Sequence, residues 1–426
     1  MSNAVAELII IPAPGMGHIM STAEVAKLLV NRDQRLAITV LVMRPHAANS
    51  GSAINEYIES LAENIMDRIS FIQLPRYVSP SIPGPKASFF DEFGKCHCKY
   101  VRNVVADLIS QPGSRLIIGF VIDMFCTGMI DVANEFNVPT YLFFTSNAAF
   151  LGFAFYVQTL CNDLKEDVVE ISNSDTEISV PTSKKLRGIK AIMVNTFMEL
   201  ETHAIESLAS DVSIPPVYPV RPVLNLGGSG ARKPFDNDII MWLDSQPPSS
   251  IVFLCFGSMR SFDEAQLKAI ARGLEQSGYR FVWSLRQPPS DQTSGVMTDY
   301  EDPSEVLPER FMERTRGIGK VIGWAPQVAL LAHDAIGGFM SHCGWNSLLE
   351  SLWFSVPSAA WPMYAEQQMN AYEMEVESGI RRVMEDNAVR TKVKEMSAKS
   401  RFTVVEGGSS YASVGRLIQD ILRDNS

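Results

Sequence analysis

The sequence predicts a doubly wound α/β fold in two successive halves. Two observations carry the prediction: short apolar runs alternate with helical patterns up to Val194, and the same alternation resumes at Ile251. Such alternation marks βαβ units and a parallel sheet. A third observation separates the halves. The run from Pro215 to Arg232, PPVYPVRPVLNLGGSGAR, combines four prolines with a GGSG segment and reads as a linker.

In the first half, strands are expected at Leu8 to Ile11, Ile38 to Met43, Leu116 to Ile122, Tyr141 to Phe144 and Ile192 to Val194. Ser21 with Glu24 forms the pattern of a capping box, and Val25, Leu28 and Leu29 give that first helix an apolar face. The strand, turn and helix from Leu8 to Asn31 put Gly15, Gly17 and His18 on a loop at the carboxyl edge of a strand, where ligands of open α/β sheets bind. In the second half, strands are expected at Ile251 to Phe256, Phe281 to Ser284, Lys320 to Ile322 and Gly338 to Met340. A helix capped by Ser261 and Glu264 carries Leu267, Ile270 and Leu274 on one face. Near Ser413 to Arg423 the chain becomes an amphipathic terminal helix.

Length and composition bound the function. A chain of 426 residues, 46% hydrophobic, is long enough for two or three domains with sizeable cores. A net charge of −11 without a basic stripe disfavours nucleic acid as the main partner. The six cysteines have no regular framework, so reduced thiols and a cytoplasmic location are expected. Cys96 and Cys98 around His97 lack a second matching pair at zinc-site spacing. No window approaches the roughly 18 uninterrupted apolar residues of a membrane span, and Leu8 to Ile11 is too short for a signal peptide.

The most informative block runs from Trp324 to Gln367. Within it, Ile336 to Met340 suggest a buried strand, Ser341 to Trp345 a turn, and Asn346 to Trp353 a helix with a polar start. A helix N-terminus offers unpaired N–H groups and a partial positive charge, so a diphosphate can bind there without a metal or a lysine cluster. Gly344 lets the backbone come close.

From its opening Trp to its closing Gln, this block resembles the signature box of the plant family 1 UDP-glycosyltransferases. The resemblance extends to PAPGMGHI near the start, VIDMF at 121 to 125, FFTS at 143 to 146 and FLCFGS at 253 to 258. It implies the GT-B fold, two Rossmann-like domains with parallel sheets facing across a cleft. Residues 1–221 would bind the acceptor and 222–410 the UDP-sugar, with helix 411–426 packed back on the first domain. His18 matches the family's general base and Asp123 the acid that orients it. Histidine titrates near neutral pH and suits proton removal from an attacking hydroxyl. Without the resemblance, a lone turn histidine such as His18 is usually structural, and the bland reading of Asp123 is a helix cap.

On the donor side the resemblance implies that Trp324 stacks on uracil, Ala325 bonds the base through its backbone and Gln327 reaches the ribose. His342, Gly344, Asn346 and Ser347 would hold the diphosphate, and Glu350 would accept from ribose hydroxyls; its bland reading is an exposed helical carboxylate. Ser258 and Thr145 resemble further phosphate or sugar contacts. Sugar choice rests on Trp345, Glu366 and Gln367, because a carboxylate and a carboxamide can bond adjacent hydroxyls that a wrong epimer leaves unpaired. In the family a closing Gln goes with glucose, and Trp rather than Arg at position 345 speaks against a glucuronate donor. UDP-glucose is therefore the expected donor, as a co-substrate, with no cofactor and no metal. Met16, Phe90, Phe125 and Phe144, among further aromatics such as Phe93 and Phe150, could line an apolar pocket for a phenolic or flavonoid acceptor, although for any single one the core reading is favoured.

The expected function is inverting, metal-independent O-glucosyl transfer by a monomer acting on small lipophilic acceptors. Two rivals share the architecture: a non-catalytic UDP-sugar or metabolite-binding protein, and a UDP-sugar epimerase. Asp236-Asn237-Asp238 resembles a metal-holding Asp-x-Asp but stands where acidic residues cap a helix. Gly15 and Gly17 lack the third glycine of GxGxxG, and no GxSxG elbow supports a hydrolase. The chain also departs from the family's habit. It is shorter between Pro181 and Gly188 and between Asn370 and Gly379, the second gap removing the strand that normally follows the box. Arg221, Arg260 and Ser355 stand where glycine is common.

Overall fold

The computed structural model describes residues 5–43, 57–61, 67–76, 86–111, 113, 115–164, 184–226, 237–257, 261–288, 297–363, 366–373 and 379–423. These divide into two compact units, one reaching Asn225 and resuming at Phe402, the other spanning Leu226 to Arg401.

The first unit is built on seven parallel strands: β1 (Ala6–Ile11), β2 (Leu36–Val42), β3 (Ile69–Gln73), β4 (Leu116–Asp123), β5 (Thr140–Phe144), β6 (Ala191–Val194) and β7 (Val217–Pro219). Their order is β3-β2-β1-β4-β5-β6-β7. The central strands β2 and β5 are buried along their whole length, as expected of a parallel sheet covered on both faces. Helix α1 (Met16–Arg32) lays Ile19, Ala23, Ala26 and Leu29 on this sheet.

Two helix starts differ from the sequence reading. α1 opens five residues before Ser21, with Gly15 in extended conformation at its N-cap, so His18 lies in the first helical turn rather than on a loop. Ser21 is buried inside the helix, and Glu24 pairs with Lys27 at 2.5 Å instead of closing a capping box. The linker reading of Pro215 to Arg232 also changes: β7 lies inside that run as the sheet's edge strand, where proline's missing N–H is tolerated.

The second unit carries five parallel strands, β8 (Ile251–Cys255), β9 (Arg280–Ser284), β12 (Gly319–Ile322), β13 (Ile336–Ser341) and β14 (Ser358–Ala360), in the order β12-β9-β8-β13-β14. A short antiparallel ribbon, β10 (Arg286–Gln287) with β11 (Thr298–Asp299), follows β9. Helix α2 (Glu264–Ser277) has its capping box two residues later than read, at Asp263 with Gln266. Among the described residues the elements after β14 are all helical.

Helix α3 (Trp345–Trp353) ends in a Schellman motif. The Ser355 amide reaches the Leu352 carbonyl at 3.1 Å and the Val356 amide the Ser351 carbonyl at 2.8 Å, with Ser355 left-handed at φ 61°. This explains why glycine is common at that position. Arg221, at φ 110°, occupies a second such place. A serine in the left-handed region costs about 1–2 kcal/mol, of which glycine's greater chain entropy takes back about 0.5–1 kcal/mol. Ser355→Gly is therefore expected to leave the melting temperature unchanged or raise it by up to about 4 °C in a thermal melt.

The final helix, α4 (Ser409–Arg423), buries Val414, Leu417, Ile418 and Ile421 in the core of the first unit beside Leu29 and Val30. Asp420 accepts from the Tyr218 hydroxyl at 2.5 Å, and the Arg32 guanidinium lies 3.4 Å above the Tyr411 ring. No helix among the described residues is long and apolar enough to cross a membrane.

Candidate active site

In each sheet the strand order reverses direction at one point, between β1 and β4 in the first unit and between β8 and β13 in the second. The carboxyl ends of strands flanking such a switch form the natural ligand crevice of an open α/β sheet. The polar groups singled out above gather at these two places.

In the first unit, His18 follows β1 and Asp123 ends β4. His18 Nδ1 lies 2.7 Å from Asp123 Oδ2. Oδ1 of the same carboxylate accepts from the Phe125 amide at 3.0 Å, so the buried aspartate is held at both oxygens and turns the chain as well as orienting the ring. With an acceptor at Nδ1, the imidazole carries its proton there and keeps the Nε2 lone pair for another donor. Phe125 meets the ring edge-on, centroids 5.6 Å apart, and Thr145 Oγ1 stands 3.4 Å from Nδ1. Thr145 is thus a neighbour of the imidazole. Met16 packs against the first unit's core at the start of α1. Phe144 is fully buried and packs on Phe150 at 5.9 Å, a core position rather than a pocket wall. An apolar residue at a strand end reads the same either way in sequence.

In the second unit, β13 leads through Ser341, His342 and Cys343 to Gly344, the extended N-cap of α3. Cys343 takes φ 64° to make this turn. His342 is buried between two glycines: a Cβ on Gly257 would lie 2.7 Å from Nε2, and one on Gly344 2.6 Å. Gly257 follows β8 at φ 81° and was not singled out from sequence, although it is the glycine of FLCFGS. Burial lowers the His342 pKa to about 4, the Cys255 carbonyl opposing slightly, so the ring is neutral at neutral pH. Its buried Nδ1 has no hydrogen-bond partner among the described residues.

One turn along α3, the Gln327 amide donates to Ser347 Oγ at 3.0 Å and to Glu350 Oε2 at 2.7 Å. Glu350 is therefore not the exposed carboxylate of the bland reading. Burial raises its pKa to about 7, the Gln327 bond pulling the other way. Trp324 is 44% exposed while Ala325 and Trp345 are buried. Asn346 is half-buried in the first turn of α3, and Glu366 is half-buried ahead of Gln367. Gln367 is itself buried and accepts from the Met363 amide at 2.8 Å. Ser258, Arg260, Asp236 and the side chain of Phe90 lie outside the described residues. His97 Nδ1 meets the Phe93 carbonyl at 2.8 Å, and no group of three or more metal-ligating side chains occurs among the described residues.

Residues 189–406 match the profile of the UDP-glucoronosyl and UDP-glucosyl transferase family. The chain is 46% identical to the putative UDP-glucose flavonoid 3-O-glucosyltransferase 3 of Fragaria ananassa, over 98% of this chain and 99% of that protein. That alignment spans 477 positions against 426 residues, so at least 51 positions have no counterpart here. Among solved structures, Medicago truncatula UGT71G1 complexed with UDP-glucose superposes with a TM-score of 0.82 at 38% identity, over 98% of this chain and 99% of that one. A UGT transferase from Siraitia grosvenorii in complex with UDP gives 0.81 at 38% identity, over 98% and 100%.

Proposed function

The chain belongs to the plant family 1 UDP-glycosyltransferases and has their GT-B fold, and on that premise we propose that it transfers glucose from UDP-glucose to a hydroxyl of a flavonoid or related phenol, with inversion and without a metal. The observation that carries this reading is the 2.7 Å contact of His18 with Asp123 at the switch point of the first sheet. Nε2 removes the acceptor proton as the oxygen attacks the anomeric carbon, and Asp123 stabilises the imidazolium that forms. The leaving diphosphate is stabilised in the second unit by the N-terminal dipole of α3, by Asn346 and Ser347, and by His342. A neutral His342 has a single ring N–H, and as a donor it can meet an anion only through that hydrogen. Dipoles and neutral donors of this kind bind an anion without a cation. Single displacement on an α-linked donor gives a β-glucoside. The flavonoid acceptor and the glucose donor follow the named activity of the Fragaria relative and the UDP-glucose bound to the Medicago protein.

Incubation with UDP-glucose and a flavonol, read by mass spectrometry and the anomeric proton signal, tests the reading. A β-glucoside supports it; unchanged reactants support a binding protein, and an isomeric UDP-sugar supports an epimerase.

Glu350 adds a pH dependence. Its raised pKa favours the folded state while it is protonated, a contribution complete below about 4.5 and lost as pH rises past about 7. Ribose hydroxyls donate to the ionised form, so donor binding pulls the other way and expels a proton. UDP-glucose affinity is expected to weaken as pH falls below 7. Calorimetry in buffers of different ionisation heat should show proton release that Glu350→Gln abolishes.

A further inference from the structure

Trp324 stands on an irregular segment after β12, and the residue is 44% exposed, so packing alone holds it loosely. What fixes its backbone is a carboxylate 25 residues earlier. The Trp324 amide donates to Asp299 Oδ1 at 2.9 Å. The same oxygen lies 2.9 Å from Arg286 Nε. Arg286 in turn donates through Nη2 to the Met297 carbonyl at 2.7 Å, across the ribbon that pairs β10 with β11. Gly323 completes the arrangement. A Cβ there would fall 2.4–2.6 Å from the Asp299 carboxyl atoms, so the carboxylate fills the space a side chain would take, directly before the tryptophan.

We propose that Asp299 is a positioning residue that locks Trp324 as the platform for the donor's nucleobase. The proposal rests on the reading above, in which this ring stacks on uracil. A carboxylate suits the post because one oxygen can take both an amide and a guanidinium, tying the platform to a ribbon with its own backbone pairing. The contacts of Asp299 are with the Trp324 amide and Arg286 rather than with any group assigned to the reacting sugar or the diphosphate, so its loss bears on donor affinity and not on the chemical step.

UDP binding by titration calorimetry, with steady-state kinetics and thermal melts on the full chain, tests this. Asp299→Ala is expected to weaken UDP about three- to tenfold and raise KM for UDP-glucose to match, the range of one hydrogen bond. The kcat, acceptor KM and melting temperature should hold. Asp299→Asn, which keeps an oxygen for the Trp324 amide, should recover most of the affinity. Gly323→Ala should evict the carboxylate and produce the same loss, and the double variant should bind no worse than Gly323→Ala alone. If Trp324→Ala binds UDP as tightly as the parent, the nucleobase platform itself is wrong and the proposal falls with it. If Trp324→Ala weakens UDP but Asp299→Ala does not, or if the Asp299 and Gly323 losses simply add, the platform stands and the role of Asp299 is overturned.

Discussion

His18→Ala should lower glucoside formation by about 10²–10⁴ at saturating substrates while UDP-glucose binds as before. The separation follows from where the side chain sits. His18 belongs to the first unit and contacts Asp123, Phe125 and Thr145, of which Thr145 alone resembles a phosphate or sugar contact. Removing it takes away the proton acceptor and leaves the donor-binding groups of the second unit intact. Asp123→Ala should cost less, since the imidazole remains but loses the acceptor that fixes its tautomer. Single-turnover rates beside calorimetric affinity check both. Retained turnover in His18→Ala would remove the imidazole from the reaction, and a parallel loss of UDP-glucose binding would make it a binding residue instead.

Gly257→Ala should cripple donor binding from a position that need never touch the ligand. Two effects add. At φ 81° an L side chain is strained, and the new methyl would lie 2.7 Å from His342 Nε2 and 2.9 Å from Cε1. The ring already lies close to Gly344 as well, where an added Cβ would fall 2.6 Å from the same nitrogen. Strain of this sort costs about 1–3 kcal/mol, which corresponds to about 5- to 150-fold in affinity if all of it falls on the bound state. A UDP-glucose titration should show the loss in the dissociation constant, with a smaller fall in melting temperature. Affinity equal to the parent's would mean that His342 plays no part in gripping the diphosphate.

The interior of both sheets was legible from sequence because strands buried on both faces must be continuous apolar runs. The strands left unread were β3, β7 and β14, each an edge of its sheet, together with the ribbon of β10 and β11. An edge strand packs on one side, tolerates polar residues and proline, and loses the pattern that betrays it. Helix starts were misjudged for a related reason. Ser21 with Glu24 has the spacing of a cap, but Gly15 already opens the helix in extended conformation, and local spacing cannot reveal which of two starts tertiary packing selects. At the site, residue types alone left His18 and Asp123 ambiguous; only contact across 105 positions makes them a pair. The bond between Gln327 and Glu350 was equally hidden, since both had been assigned separately to the ribose. Phe144 shows the opposite limit, an aromatic whose composition suits a pocket and whose burial makes it core.

Helix α4 gives the chain an order of assembly. Its four apolar side chains, Val414, Leu417, Ile418 and Ile421, contribute on the order of 6–12 kcal/mol of gross burial to a core that otherwise consists of residues before 226. The ribosome releases those residues after the whole of the second unit. The earlier-made half must therefore wait, with the surface around Leu29 and Val30 open, until the second unit has emerged and the helix behind it arrives to close the gap.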